Sequence, residues 1–393
     1  MDQREMVNND KVSIKTYFLM LSIIFTFVNN FKYGGGISSI IIFIIGFGAF
    51  AFLSGAKFKL TIIHALFFLF WFFATISTMI SPLVNLQQDS ISFLIAVAFL
   101  VLATSVNYSE REIKLVLSSY ICTAFISSIN IIYNVIIGHQ ATWNRYSTSF
   151  FGIDKDPNYA SAYIVPAVMI LLYTIFFKPS KEKKWLYISL LVVTTLGTIS
   201  TGSRGAFLFL LFCYVYIFLI ITFKASKRIR TVLVFGVIGL ALLVFWNLAI
   251  NYFPESMVVR LATVSSYTED STRLNIWKEG IKVFFEYPLI GGGLNGGNSY
   301  LLSRGYPHSH NVYLDILTNT GLIGSLIFIL IIFNILKVKK DDKLFIIGAI
   351  VVFLGPLLFI NGFNTPSFWI PLIILVILQK NSLRTNKKIS DLV

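Results

Sequence analysis

Arg204 lies in Ser200-Thr201-Gly202-Ser203-Arg204-Gly205-Ala206, squeezed between two apolar stretches. A guanidinium beside hydrocarbon is costly without a partner or a watery cavity, so it marks a site; the structural alternative is a turn residue that snorkels to the interface. Gly202 and Gly205 leave room for backbone or ligand to approach. Arg273 opens a later segment with helical periodicity. Two permanently charged forks are natural partners for phosphate oxygens, and the helix start expected beside Arg273 would add partial positive charge. The chemistry this points to is the binding of a lipid-linked phosphate or diphosphate at membrane level.

Histidine is scarce, with His308 and His310 falling together in Pro307-His308-Ser309-His310-Asn311. A neutral imidazole at a membrane face can take a proton from a hydroxyl, which is general-base work. Metal binding is the rival, but two His without a nearby Cys or His-x-x-x-His partner are thin for zinc. Asp154-Lys155-Asp156-Pro157-Asn158 offers carboxylates and an amide for a metal or a sugar hydroxyl. It is equally a helix start, with Asp156 as the cap and Pro157 in the first helical position. Asp156, Asn158 and the nearby Arg145 are candidate substrate-binding residues, together with Trp277, His308 and Asn311.

These residues need a scaffold, and composition says which kind. Of 393 residues, 56% are hydrophobic and only 13% charged, too few charges to coat a soluble surface of that size. Apolar runs long enough to cross a bilayer as helices recur near 16–31, 37–54, 60–80, 90–106, 115–136, 159–177, 185–200, 205–223, 231–250, 311–334, 344–362 and 367–379. They lack the alternation of barrel strands. The expected fold is an all-α polytopic membrane protein with about twelve spans, one integral membrane domain over 1–393. The first apolar run leads into further spans and reads as an anchor, not a cleaved signal. Cys122 and Cys213 both fall inside spans, which suggests neither a disulfide framework nor a thiol metal site.

The net charge of +14 follows topology. Clusters at Arg4/Lys11/Lys15, Lys57/Lys59, Arg111/Lys114, Lys178–Lys184, Lys224–Arg230, Lys337–Lys343 and Lys380–Lys388 all fall on one side when the N-terminus is cytoplasmic. Both ends are therefore expected inside, and nucleic acid is not an expected partner. Most of the remaining cations gather in or beside three outer segments, 137–158, 201–204 and 251–310. Spans one to nine occupy 16–250, the long outer loop 251–310, and the last three spans with a cytoplasmic tail 311–393. In the loop, Leu274, Trp277, Ile281 and Phe284 recur at helical spacing opposite Asn275, Lys278, Glu279 and Lys282. That predicts an amphipathic helix from Arg273 to Phe285, capped by Thr272 or Ser271 and lying at the outer interface with Trp277 at headgroup level. Pro288 and Gly291-Gly292-Gly293 end it and allow a tight backbone path.

Three motifs now resemble one family. Ser203-Arg204-Gly205 at the start of a span resembles the first motif of the O-antigen polymerase/ligase family. Arg273-Leu274-Asn275-Ile276-Trp277 leading to Pro288-Leu289-Ile290-Gly291-Gly292-Gly293 resembles the second. His310-Asn311, nine residues, then Gly321-Leu322-Ile323-Gly324 is similar to the third. The family-like core covers 195–330, in the family's order with its large outer loop. The resemblance implies a GT-C-like, metal-independent, inverting glycosyltransferase without cofactor, on the outer face of the bacterial cytoplasmic membrane. The implied donor is a glycan on undecaprenyl diphosphate, with Arg204 and Arg273 holding the diphosphate and stabilising it as a leaving group, and His310 deprotonating or orienting the attacking hydroxyl. The basic motif after Arg273 varies between ligases and polymerases. A polymerase is expected, extending a surface polysaccharide such as O-antigen or capsule by passing the glycan to another lipid-linked repeat unit. High Ile, Phe, Lys and Asn content, typical of AT-rich polysaccharide loci, favours it. The alternative is a ligase acting on lipid A-core. Membrane lipid and a chain-length regulator protein are further expected partners.

Other classes fit less well. A transporter of lipid-linked sugars predicts internal repeats and charge near the bilayer midplane, whereas these cations gather at one face. A peptidoglycan polymerase of the shape, elongation, division and sporulation type relies on a loop carboxylate, where this chain carries Arg and His.

Overall fold

A computed structural model describes residues 12–28, 46–49, 52–53, 57–84, 88–141, 145–150, 153–177, 182–224, 236, 267–362 and 366–384. The helices are α1 (Ile14–Val28), α2 (Ile62–Ile80), α3 (Gln88–Ser105), α4 (Glu110–Ile136), α5 (Pro157–Phe177), α6 (Lys184–Ser200) and α7 (Arg204–Lys224). They continue with α8 (Tyr267–Glu286), α9 (Gly296–Ser303), α10 (Val312–Ile335), α11 (Lys343–Leu354), a 3-10 segment at Gly355–Phe359, and α12 (Pro366–Arg384). The only strands among the described residues are β1 (Ser149–Phe150) and β2 (Ile153–Asp154), paired antiparallel.

Six of these stretches are long and apolar enough to cross a membrane, and α1, α3 and α6 contain shorter apolar helices. Large apolar side chains such as Phe72, Ile80, Leu330 and Phe333 stay exposed along them, as lipid-facing residues do. The chain is a multi-pass helical membrane protein. Of the twelve expected spans, 37–54 is described only at 46–49 and 52–53, and 231–250 only at residue 236; the 251–266 stretch of the long loop lies outside the described residues.

The chain divides into two compact units. The first comprises 1–120, 267–350 and 357–392, and the second chiefly 121–266 with 351–356. In the first, α2 packs on α10 and α3, and α12 on α3 and α1. Its centre is aromatic. Phe67, Phe70, Phe93, Phe368 and Trp369 are all buried, and the Phe368 and Trp369 rings meet edge-on at 4.9 Å. In the second unit α5 packs against both α6 and α7 and is buried nearly all round, matching its lack of a polar face. Ser128 of α4 lies where a Cβ on Gly197 of α6 would sit, so those backbones pass in contact.

Two expectations for α8 are corrected. The helix starts at Tyr267, so Ser271 and Thr272 lie within it and not at its cap position. Its charged first turns, with Glu269 and Asp270, extend a helix whose apolar periodicity begins only at Leu274. Arg273 is therefore in the second turn, without the partial charge of a helix start. The buried stripe is Ile276, Gly280 and Val283, about 100° round from the predicted one. Gly280 admits the Leu314 side chain of α10, which fixes that rotation, and Leu274 and Phe285 remain exposed.

Helix α10 is broken at Gly321, whose φ of 63° and ψ of −161° are not helical. The loop after α8 lies along the break. Gly292 N donates to Thr318 O (2.8 Å), Gly293 N to Asn319 O (3.1 Å), Leu322 N to Pro288 O (2.9 Å) and Ile323 N to Leu289 O (3.1 Å). Ser77 of α2 donates to Asn319 O (2.9 Å) and accepts from Gly293 N (2.9 Å). A Cβ on Gly321 would sit 2.5 Å from Leu289 O, and one on Gly291 would sit 2.4 Å from the Asn319 carbonyl carbon. Gly321→Ala is expected to destabilise the protein by about 1–3 kcal/mol through overpacking, with added cost from the positive φ. An unchanged melting temperature in detergent would refute this account of the break.

Candidate functional site

In the second unit the segment before α5 and the α6–α7 turn meet around Asn158. Asp156 caps α5, its Oδ1 accepting from Asn158 N at 2.7 Å with Pro157 in the first helical position, as the sequence suggested. The Asn158 carboxamide oxygen accepts from Arg145 Nη2 (2.9 Å) and from Ser203 Oγ (2.9 Å). Arg145 is buried, and its Nε donates to Thr201 O at 3.3 Å. Arg145, Asp156, Asn158 and Ser203 are thus one network ending at the turn that carries Arg204.

Arg204 is the first residue of α7 and half-buried. Ser203 precedes it as the cap, with Ser203 O accepting from Phe207 N at 2.9 Å. Gly202 holds a φ of 62° that lets the chain reverse between α6 and α7. A cation at the N-terminal end opposes the helix dipole, so an anion placed there gains from both the guanidinium and the backbone N–H groups. The positive helix start expected beside Arg273 is therefore found beside Arg204 instead.

The β1–β2 hairpin adds two titrating groups. His139 Nε2 lies 3.0 Å from Asp154 Oδ1. Burial pushes the Asp154 carboxyl up, but hydrogen bonds from His139 and Ser149 outweigh it and hold it below its usual range. Lys155 Nζ lies 5.0 Å from the Tyr163 ring centroid, and burial pulls its amine down to about 7.

In the first unit the second cluster forms where α8, α9 and the start of α10 meet. Ser309 is its hub. Its N donates to Asn298 Oδ1 (3.1 Å), its O accepts from Trp277 Nε1 (3.0 Å), and its Oγ donates to Asp315 Oδ1 (2.5 Å). Asp315 is buried, and its other oxygen accepts from Gly362 N at 2.8 Å. The Asn311 side chain caps α10, accepting from Tyr313 N (3.0 Å) and Leu314 N (3.1 Å). Its oxygen is therefore spent on the backbone, as the Trp277 indole N–H is spent on Ser309 O.

Between Ser309 and Asn311, His310 is held at a φ of 51°, a left-handed conformation rare for a residue with a side chain. Fixing both neighbours is what keeps it there. The His308 ring lies perpendicular to that of His310 with centroids 6.1 Å apart, and His308 is exposed. Arg273 lies one turn before Trp277 on α8, its guanidinium carbon 5.8 Å from the Phe359 ring centroid. Phe359 and Gly362 belong to one short segment, so Arg273 and the His310 turn share a support.

Sequence reading overlooked Ser309, Asp315 and Asn298. Asp315 was findable, because a carboxylate inside an apolar run is unusual in itself. Ser309 and Asn298 carried no such signal.

Taken together, this is a multi-pass helical membrane protein whose polar residues form two cation-bearing networks at the ends of broken or capped helices. Residues 189–329 match the O-antigen ligase family model. That match spans all three motifs and supports the resemblance to the O-antigen polymerase/ligase family. The chain is also similar to the ComP-specific O-oligosaccharyltransferase of Acinetobacter baylyi (strain ATCC 33305 / BD413 / ADP1), 24% identical over 336 residues. The alignment covers 77% of this chain and 59% of the relative, so the chain spans about three fifths of that protein's length.

Two measurements test these networks. Asp315→Ala removes the carboxylate that accepts from Ser309 Oγ and from Gly362 N, and should cost about 1–3 kcal/mol in a thermal or denaturant melt; no loss would remove Asp315 from its supporting place. Lys155 binds its proton less tightly folded than unfolded, so stability should rise with pH from about 7 towards 10. Lys155→Gln should flatten that part of the stability–pH curve, and an identical slope in both proteins would contradict the burial described here.

Proposed function

We propose that the protein is a glycosyltransferase of the outer face of the bacterial cytoplasmic membrane, with a glycan on undecaprenyl diphosphate as its donor. The observation that carries this is the O-antigen ligase family match over 189–329, which contains Arg204, Arg273 and His310. Arg204, at a helix start, binds diphosphate oxygens and stabilises the charge that develops as the diphosphate leaves. Arg273 does the same from the second turn of α8. The His310 imidazole takes the proton of the acceptor hydroxyl. The bond from the anomeric carbon to the diphosphate oxygen breaks with its electron pair on the diphosphate, while the acceptor oxygen attacks from the opposite face, inverting the centre. Arg145 and Asn158 position the Arg204 turn, and Ser309, Asp315 and Trp277 position His310. No metal enters the step.

The acceptor we favour is a second lipid-linked repeat unit, making the protein a polymerase. Transfer to a different acceptor is the second reading, favoured by the ligase description of the matched family and by the oligosaccharyltransferase relative.

Purified protein, one undecaprenyl-diphosphate-linked repeat unit and excess chelator form the test. A ladder of longer lipid-linked glycans supports the polymerase. Product formed only after lipid A-core or a protein acceptor is added supports the second reading. No transfer to any acceptor overturns both. Arg204→Ala, Arg273→Ala and His310→Ala should each lower the rate by about 100-fold or more while the protein stays folded in the membrane. Full activity in all three would end the mechanism.

A further inference from the structure

Arg273 and the His310 turn belong to different elements of the first unit, and a closed circuit of contacts runs between them. Trp277, one turn after Arg273 on α8, donates from Nε1 to Ser309 O (3.0 Å), the residue before His310. Ser309 Oγ donates to Asp315 Oδ1 (2.5 Å), and Asp315 Oδ2 accepts from Gly362 N (2.8 Å). Phe359 precedes Gly362 in the same short segment, and its ring centroid lies 5.8 Å from the Arg273 guanidinium carbon. The path thus returns to the helix turn from which it began.

The segment from Phe359 to Gly362 is itself held. Phe359 ends the 3-10 helix Gly355–Phe359, Ile360 is buried, and Gly362 turns the chain at a φ of 81°. The hydrogen bonds of the circuit fix the His310 turn, and the ring is the contact in it that touches the guanidinium. Phe359 is half-buried, a setting in which a ring attracts a cation more strongly than at a fully exposed surface. The kind of contact matters for the chemistry. A carboxylate in that place would cancel the guanidinium charge and compete with phosphate oxygens for its N–H donors. A ring attracts the cation through its quadrupole and leaves the net charge in place. An arginine that stabilises charge developing on a departing diphosphate needs both a fixed position and its full charge.

We infer that Phe359 is a positioning residue for transfer, its ring holding the Arg273 guanidinium in a set place relative to His310. Stabilisation of the leaving group and removal of the acceptor's proton then act together on one bound pair of substrates. Phe359 has this role only if Arg273 and His310 have those proposed above. The bland alternative is a ring that merely fills apolar space, and it makes a different prediction, because its loss would not depend on Arg273.

Steady-state transfer by the full chain provides the test, with the undecaprenyl-diphosphate-linked repeat unit as donor and whichever acceptor supports product. Rates are taken below the melting temperature of every variant, so that loss of folding does not enter. Phe359→Leu should lower kcat/KM for the donor about five-fold, and Phe359→Tyr, which keeps the ring, should recover most of that loss. In an Arg273→Ala background Phe359→Leu should lower the residual rate no further, since the ring acts through the guanidinium. Equal rates for Phe359→Leu and the wild type, equal losses in Phe359→Leu and Phe359→Tyr, or a loss that persists without Arg273 would each overturn the assignment of Phe359 alone. Transfer by the wild type and its loss in Arg273→Ala would still uphold the glycosyl-transfer reading in those cases. No transfer by the wild type to any acceptor would overturn both.

Discussion

A helix interrupted at membrane level must find partners for its freed backbone groups inside the protein, and the break in α10 meets that demand with a second stretch of chain. The segment from Pro288 to Gly293 supplies donors and acceptors that Thr318 to Ile323 can no longer exchange within the helix. The two backbones come so close that both Gly291 and Gly321 exclude a side chain. Ser77 and Thr78 of α2 complete the arrangement by accepting from Gly293 N and Leu294 N. Everything around His310 hangs from this seam, because α8 leads into it, α9 follows it, and the start of α10 ends at it.

The seam also explains why two glycine-containing motifs far apart in sequence belong together. Each alone reads as a turn or a close helix contact. Paired, they are the two halves of one hydrogen-bonded joint. Sequence reading could place a tight backbone path at Gly291–Gly293 but could not say against what, because a partner's identity is a tertiary fact.

The same division runs through the rest of the molecule. Among the described residues, helix positions were legible where apolar runs had span length, and the Asp156-Pro157 start of α5 was legible because capping chemistry is local. The rotation of α8 was not. Leu274, Trp277, Ile281 and Phe284 are its most regular apolar stripe, yet the helix buries Ile276, Gly280 and Val283. A helix between lipid and protein offers apolar residues to both, so periodicity alone cannot tell the two faces apart. Gly280 decided the matter by making room for Leu314. The start of α8 was misplaced for a related reason, since its first turns are polar and carry no periodic signal. Arg204, Arg273 and His310 stood out by type and setting, whereas the residues that hold them (Asn158, Ser309, Asp315) act through contacts that spacing does not reveal.

The break at Gly321 has a mechanical consequence. Below it, α10 runs on as a lipid-facing rod with Leu326, Ile329, Leu330 and Phe333 turned outward. Above it, the short capped piece is bolted to α8 and α9. A bilayer of different thickness changes the tilt its helices prefer, and a continuous rod would pass that tilt directly to its tip. The axis of α10 is interrupted, and its upper piece is anchored sideways. His310 therefore stands on a short piece held from the side, and not at the tip of a continuous lever.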